Sequence, residues 1–235
     1  MNWLRRLTGK SPALNIEQQL ALVAYRALPA IASTTPLATL RFVVADVETT
    51  GLRPNHDRLI SIGAVVVENK TIRLSESFEV IFGQPQASHT ANILIHGIDG
   101  TTQMNGLAPA DAMLEFFEYA GAAPLVGYHA DFDRVVINRE ARNSIGKPPA
   151  NAWLDLTFLA PAVFDTAGTE SLQTLDDWLQ RFGIYNHARH NALADALATA
   201  QLLQVVLAQA LTDGAQTLRD LVEIERDQRW LRQYR

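Results

Sequence analysis

Between residues 41 and 82 the chain runs through three stretches whose apolar positions follow one another or alternate. Beyond residue 109, apolar residues mostly recur every three or four positions. Arg41-Phe42-Val43-Val44-Ala45-Asp46-Val47-Glu48 is β-branched and almost continuously apolar, the pattern of a strand covered on both faces. Leu59 to Val67 predicts a second strand and Ile72 to Phe82 a third with partial alternation, with a hairpin turn at Asn69-Lys70 between them. Pro109 to Tyr119 reads as a helix with Ala112, Leu114, Phe116 and Phe117 on its apolar side. Leu125-Val126-Gly127 is a very short strand, Phe132 to Ala141 a helix, and Trp153 to Leu156 a last strand. Leu172, Leu175, Leu179 and Phe182 mark a helix starting near Ser171 and stopped by Gly183. Ala192 to Ala210 is a long helix burying Leu193, Leu197, Ala200, Leu203 and Leu207. Antiparallel strands followed by alternating helices and short strands predict an α/β fold, a mixed sheet with helices on both sides.

Both ends extend this core. Residues 16–28 carry a helical stripe of Ile16, Leu20, Val23, Ala24 and Ala27, ended by Pro29, and Ala32 to Pro36 reads as a linker. The tail from Gln216 is a charged helix with Leu218, Leu221, Val222 and Trp230 as a docking stripe. The expected organisation is an N-terminal helical extension and linker (1–38), a central domain (39–211) and a C-terminal helical tail (212–235). Either terminal helix offers a protein partner a surface, or simply covers the domain.

Composition narrows the function. With 235 residues, 48% apolar and 19% charged, the chain is long enough for one real core. A formal charge of −5 argues against broad coating of duplex DNA, which needs many phosphate contacts. It does not exclude an enzyme that grips one strand end, because a bound divalent cation reverses the local charge. There is no cysteine, which removes disulfides and thiolate zinc sites and suits a reducing cytoplasm, the expected location. No unbroken run of eighteen apolar residues appears, so no bilayer span is expected. Met1 to Lys10 is basic, lacks the apolar core of a signal peptide, and reads as a solvated terminus rather than an amphipathic foot.

Five residues from three separate stretches carry the candidate chemistry. Strand side chains repeat with period two, so Asp46 and Glu48 project from one face. Two carboxylates side by side in a dry sheet repel each other unless cations lie between them. A solvated strand end is the bland alternative, weakened because Asp46 interrupts a run that is otherwise apolar. Gly51 permits a tight turn and close backbone approach to a ligand. Asp133, at the start of a helix, has the local character of a cap, and Asp131 has the same claim. His190 and Asp195 are five residues apart, about 140° on a helix, so they cooperate only if His190 sits in the loop before the helix that carries Asp195. That loop also holds His187, and spacing does not choose between the two histidines. Oxygen ligands without cysteine favour Mg²⁺ or Mn²⁺ over zinc. Two such ions about 4 Å apart activate a water and neutralise a leaving 3′ oxygen, and a histidine is suited to take the proton from that water.

With Asp46-Val47-Glu48-Thr49-Thr50-Gly51-Leu52, Ile95-His96-Gly97-Ile98, Phe132-Asp133 and His190-Asn191-Ala192-Leu193-Ala194-Asp195-Ala196, the chain resembles the DnaQ-like 3′–5′ exonucleases. These form the DEDDh branch of the ribonuclease H-like superfamily and include the proofreading epsilon subunit of bacterial DNA polymerase III. The resemblance covers about residues 40–210. It implies a ribonuclease H-like, mixed five-stranded sheet flanked by helices. It also implies that Asp46, Glu48, Asp133 and Asp195 hold two Mg²⁺ or Mn²⁺ ions and that His190, rather than His187, is the general base. Thr49, Gly51 and Leu52 would line the terminal-nucleotide pocket, with His96 and Ile98 nearby and His129 against the substrate strand. The implied activity is release of nucleoside 5′-monophosphates from a 3′ end, of single-stranded DNA first and of RNA as the alternative, in proofreading or repair. A DNA polymerase or another protein is the implied partner, met through the terminal helices. One departure is Tyr128-His129 before Ala130-Asp131-Phe132-Asp133, where the family has His-Asn. It bears on substrate preference and leaves the acids intact. A non-catalytic module that only binds a polymerase or a nucleic-acid end is the alternative of another class.

Overall fold

The computed structural model describes residues 12–164 and 172–233. Met1 to Lys10 and Ser171 lie outside these, so the readings made for them are not addressed. Five strands form one mixed sheet: β1 (Arg41–Thr49), β2 (Leu59–Glu68), β3 (Thr71–Ile81), β4 (Leu125–Gly127) and β5 (Trp153–Asp155), in the order β3-β2-β1-β4-β5. β1, β2 and β3 are antiparallel neighbours, while β4 joins β1 and β5 joins β4 in parallel. The β2–β3 turn has Asn69 at φ 51° and Lys70 at φ 62°, two consecutive left-handed residues as a type I′ hairpin requires.

Nine helices accompany the sheet among the described residues: α1 (Ile16–Arg26), α2 (Thr90–His96), α3 (Gly100–Met104), α4 (Pro109–Ala120), α5 (Ala130–Ser144), α6 (Leu156–Val163), α7 (Leu175–Arg181), α8 (Ala192–Thr212) and α9 (Leu218–Gln233). Each sheet face buries its own core. Phe42, Val44, Val65 and Val67 pack with α6, α7, α8 and α9 around Trp178 and Leu203. Val43, Ala45, Ile62 and Val66 pack with α4 and α5 around Phe116, Phe117 and Ile137. α8 has the length and composition to cross a bilayer. Here Leu202, Leu203, Val206 and Leu207 are buried in the first of these cores.

Three expectations need correction, and one open reading is decided. The stripe foreseen on α1, left open between a partner surface and a cover for the domain, faces outward, with Ile16 77%, Leu20 64% and Val23 60% exposed, while Leu22 is buried. α4 explains the rotation: Gln18 Nε2 donates to Asp111 at 2.7 Å, and Tyr25 lies 4.5 Å from the Phe117 ring. α7 starts at Leu175, because Thr174 and Asp177 close a reciprocal capping box there. β5 ends at Asp155, whose carboxylate caps the N-terminus of α6, so Leu156 is helical. On α9, Leu218 and Leu221 are buried but Val222 and Trp230 point outward. α2, α3 and α6 were not foreseen. The linker and the tail also meet, for Leu218 N–H donates to Thr35 O at 3.0 Å and Leu37 N–H to Gln216 O at 2.9 Å.

One glycine sets the distance between α8 and the sheet. Gly63 stands opposite Asp46 in the β1–β2 register. A Cβ there would lie 2.2 Å from Leu193 N and 2.3 Å from the Ala192 carbonyl carbon. Backbone against backbone has no soft side chain to yield, so Gly63 lets the first turn of α8 rest on β2. Gly63→Ala is therefore expected to lower stability by about 1–3 kcal/mol or more, as overpacking does. A shift of the urea unfolding midpoint measures this, and an unchanged midpoint would contradict the packing described.

Candidate active site

The first two acids stand on β1, two residues apart and on the face that α8 covers. The β1–β2 register shifts between Glu48 and Thr49, where Ile60 of β2 is skipped, an irregularity of the kind often found beside active sites. α8, seated on Gly63, brings Asp195 from its first turn into the same space. Asp46, Glu48 and Asp195 each offer an oxygen, and these atoms all lie within 4.8 Å of one another. Asp133 arrives from the opposite face on the first turn of α5 and is buried; it is not one of this trio, but it is near enough to repel Asp46. Its carboxylate accepts the Val47 N–H, so β1 holds it directly.

The electrostatics record the crowding. Burial, then repulsion from Asp133, Asp195 and Glu48, pushes the Asp46 carboxyl well above the usual range. Burial, then Asp195, pushes Glu48 up to about 8 against the pull of Arg189. Burial likewise raises Asp133, with further repulsion from Asp155 and Glu48. Three hydrogen-bond donors hold Asp195: the Asn186 amide on Oδ1, Arg189 Nη1 at 2.6 Å on the same oxygen, and the His190 N–H at 3.0 Å on Oδ2. Arg189 also reaches Asp176 of α7 at 3.0 Å, so a guanidinium supplies positive charge at the edge of the cluster. The donor set fits a divalent cation. It is oxygen only, convergent, and short of positive charge.

A cleft of about 640 Å³ opens over this cluster. Its lining includes Thr49, Gly51, Leu52, His96, His129 and His190 from the expected set. Leu52 is 90% exposed, an apolar surface presented to whatever enters. His190 sits in the turn before α8 with φ 63°, and His129 caps α5 with φ 60°; such left-handed backbone at non-glycine residues is often found at functional sites. His187 packs against the Tyr185 ring at 4.6 Å and is not part of the cleft lining. Ile98 is likewise outside the lining, but its N–H donates to His96 Nδ1 at 3.0 Å. That bond leaves the His96 proton on Nε2, which is buried and without a hydrogen-bond partner among the described residues. Asp131 turns outward to Arg134 and Arg229 at 2.8 and 2.7 Å. Gly63, Arg189 and Asn186 were missed from sequence. Only Gly63 left a signal, a glycine inside an otherwise apolar strand, which marks close backbone approach.

A five-stranded ribonuclease H-like sheet with this acid cluster at the end of β1 defines a nuclease domain of the DnaQ-like, DEDDh type. The exonuclease family model RNase_T matches residues 43–203. The chain belongs to that exonuclease family. It is 37% identical over 187 residues to a DNA polymerase III subunit epsilon-like protein of Rhodobacter capsulatus, a match covering 76% of this chain and 26% of that protein. It is 28% identical over 167 residues to DNA polymerase III subunit epsilon of Treponema pallidum, covering 71% of this chain and 76% of the other. The chain thus spans about a quarter of the length of the Rhodobacter relative. Among solved structures, E. coli Exonuclease I superposes with a TM-score of 0.62 at 20% identity, over 74% of this chain and 43% of the other.

The raised carboxyls dictate a pH response. Between the ordinary carboxylate range near ~4–4.5 and about 8 for Glu48, the folded chain holds protons that the unfolded chain has released. Stability in EDTA therefore falls as pH rises through that window, and raised Asp46 and Asp133 act in the same direction. Thermal melts in EDTA from pH 5 to 8 should show a falling midpoint, flatter and higher in Asp46→Ala. A midpoint independent of pH, or an Asp46→Ala chain that does not fold, would contradict this electrostatic account.

Proposed function

We propose that this chain is a 3′–5′ exonuclease that removes nucleoside 5′-monophosphates one at a time from the 3′ end of single-stranded DNA. The observation that carries the reading is the convergence of Asp46, Glu48 and Asp195 within shared-ion reach in an open cleft. Asp46, Glu48, Asp133 and Asp195 would hold two Mg²⁺ or Mn²⁺ ions, which would supply positive charge beside the phosphodiester and lower the pKa of a bound water. His190 takes the proton of the water that attacks the terminal phosphorus. The P–O3′ bond breaks, the terminal nucleotide leaves with its 5′ phosphate, and the shortened strand keeps a 3′ hydroxyl. Thr49, Gly51 and Leu52 seat the terminal nucleotide, with Ile98 behind His96, and His129 lies against the strand.

DNA is favoured over RNA because the structures of E. coli Exonuclease I contain dT13 and dA16 oligonucleotides, and the relatives are named as DNA polymerase III subunits. A DNA polymerase is accordingly the partner of choice. That partner would meet the exposed Ile16, Leu20 and Val23 of α1, which are more exposed than the outward Val222 and Trp230 of α9.

End-labelled DNA and RNA of one sequence, incubated with Mg²⁺, Mn²⁺ or EDTA, test the reading. The expected result is a ladder shortening from the 3′ end with mononucleotide release, faster on DNA, and abolished by EDTA. A faster RNA ladder would reassign the substrate, and an intact strand with either ion would favour a binding module. In the same assay His190→Ala should lower kcat by about 10²–10⁴-fold, the usual contribution of a general base, while calorimetry finds Mn²⁺ binding unchanged. Full activity in that variant would remove His190 from the mechanism.

A further inference from the structure

Away from the cleft, three acids and one arginine form a second ionic cluster, and it joins the C-terminal helix to the turn that delivers Asp133. Asp155 closes β5 and is 1% exposed. Its Oδ1 accepts the His129 N–H at 3.1 Å and the Thr157 N–H at 2.9 Å. The Thr157 hydroxyl accepts the same His129 N–H at 2.8 Å. The backbone of Asp155 is held in turn, its N–H donating to Glu225 Oε2 of α9 at 3.2 Å. One turn further along α9, Arg229 Nε donates to Glu225 Oε1 at 2.7 Å and Nη1 to Asp131 Oδ2 at 2.7 Å. Its Nη2 lies 3.6 Å from Asp155 Oδ2, and the guanidinium covers the Phe158 ring at 4.1 Å.

This geometry has a direct consequence for the catalytic acids. His129 is the N-cap of α5, adopts left-handed backbone, and makes no side-chain cap bond. A histidine in that conformation persists only when its surroundings hold it, and here Asp155 and Thr157 do so. Asp133 follows four residues later on the first turn of α5. Arg229 is the cation that makes the buried Asp155 and Glu225 tolerable, because an uncompensated buried charge is strongly disfavoured. Its planar fork serves three acids at once, which a lysine cannot match.

We propose that Arg229 is a positioning residue for the exonuclease site: through Asp155 it fixes the His129–Asp133 turn, so α9 is a working part of the catalytic domain. α9 lies beyond residues 43–203, the segment that the exonuclease family model matches. The inference deepens the proposed function and rests on it. The catalytic unit then runs to residue 233 instead of stopping at 211.

The test uses the full chain with Mn²⁺ and an end-labelled DNA oligonucleotide, comparing Arg229→Gln, Arg229→Lys, Thr157→Val and Arg226→Gln. Removing a residue that orients metal ligands typically costs about 10–100-fold. Arg229→Gln should lower kcat, or Mn²⁺ affinity by calorimetry, by that factor, with KM for DNA within about twofold, and Arg229→Lys should recover part of the loss. Thr157→Val adds no charge, keeps the side-chain volume, and removes one acceptor from His129. It should show a smaller fall in kcat while folded, and it answers the question if Arg229→Gln does not fold. Arg226→Gln, on the exposed side of α9 and paired with Asp227 at 3.1 Å, should match the wild type. Wild-type kcat and Mn²⁺ affinity in a folded Arg229→Gln, or in Thr157→Val where that variant does not fold, would overturn the inference. A wild-type chain that shortens no strand would instead overturn the proposed function.

Discussion

Carboxylates held within a few ångströms of one another in a partly dry cleft repel, and the fold forces that arrangement on Asp46, Glu48 and Asp195. β1 fixes the first two on one face, and α8 cannot sit on Gly63 without bringing the third beside them. In water such charges would be screened, but enclosure strengthens every pairwise term. Two responses relieve the strain: some acids keep protons, or positive charge arrives. The raised Glu48 and Asp46 record the first, and the Arg189 guanidinium on Asp195 is a partial version of the second. A divalent cation provides the second in full.

The rest of the molecule serves this one costly arrangement. Two independent cores clamp the sheet from both faces, so the strand end bearing the acids is set by packing far from it. Asp133 comes from the opposite face to its partners, and the Val47 N–H meets it there. The loop after β1 is pinned from α5, where Arg139 donates to the Pro54 and Asp57 carbonyls. On this account the C-terminal helix extends the same support, through Arg229, to the turn that carries Asp133.

What could be read from sequence follows the range of the interactions involved. β1 and β2 were legible because burial on both faces leaves an unbroken apolar run, and the hairpin turn because Asn69-Lys70 carries its own backbone preference. Asp46 and Glu48 stood out because charges in an apolar strand need a reason, whereas Asp133 and Asp195, on helices, rested on their combination with these and on the family resemblance. Which face of α1 is buried stayed open in the sequence, because a hydrogen bond from Gln18 to Asp111, far along the chain, decides it. α2, α3 and α6 are short, and a cap such as Asp99 or Asp155 defines two of them rather than any periodicity. Arg189 and Asn186 meet Asp195 through a loop conformation that no spacing rule encodes.

The central claim is that this acid cluster is built around divalent cations, and direct titration of the metal-free protein with Mn²⁺ tests it most simply. Calorimetry should give saturable binding of two ions, with proton release as the raised carboxyls ionise, and both should be lost together in a Glu48→Gln, Asp195→Asn double variant. Equal Mn²⁺ binding by wild type and double variant, or none by either, would contradict the account.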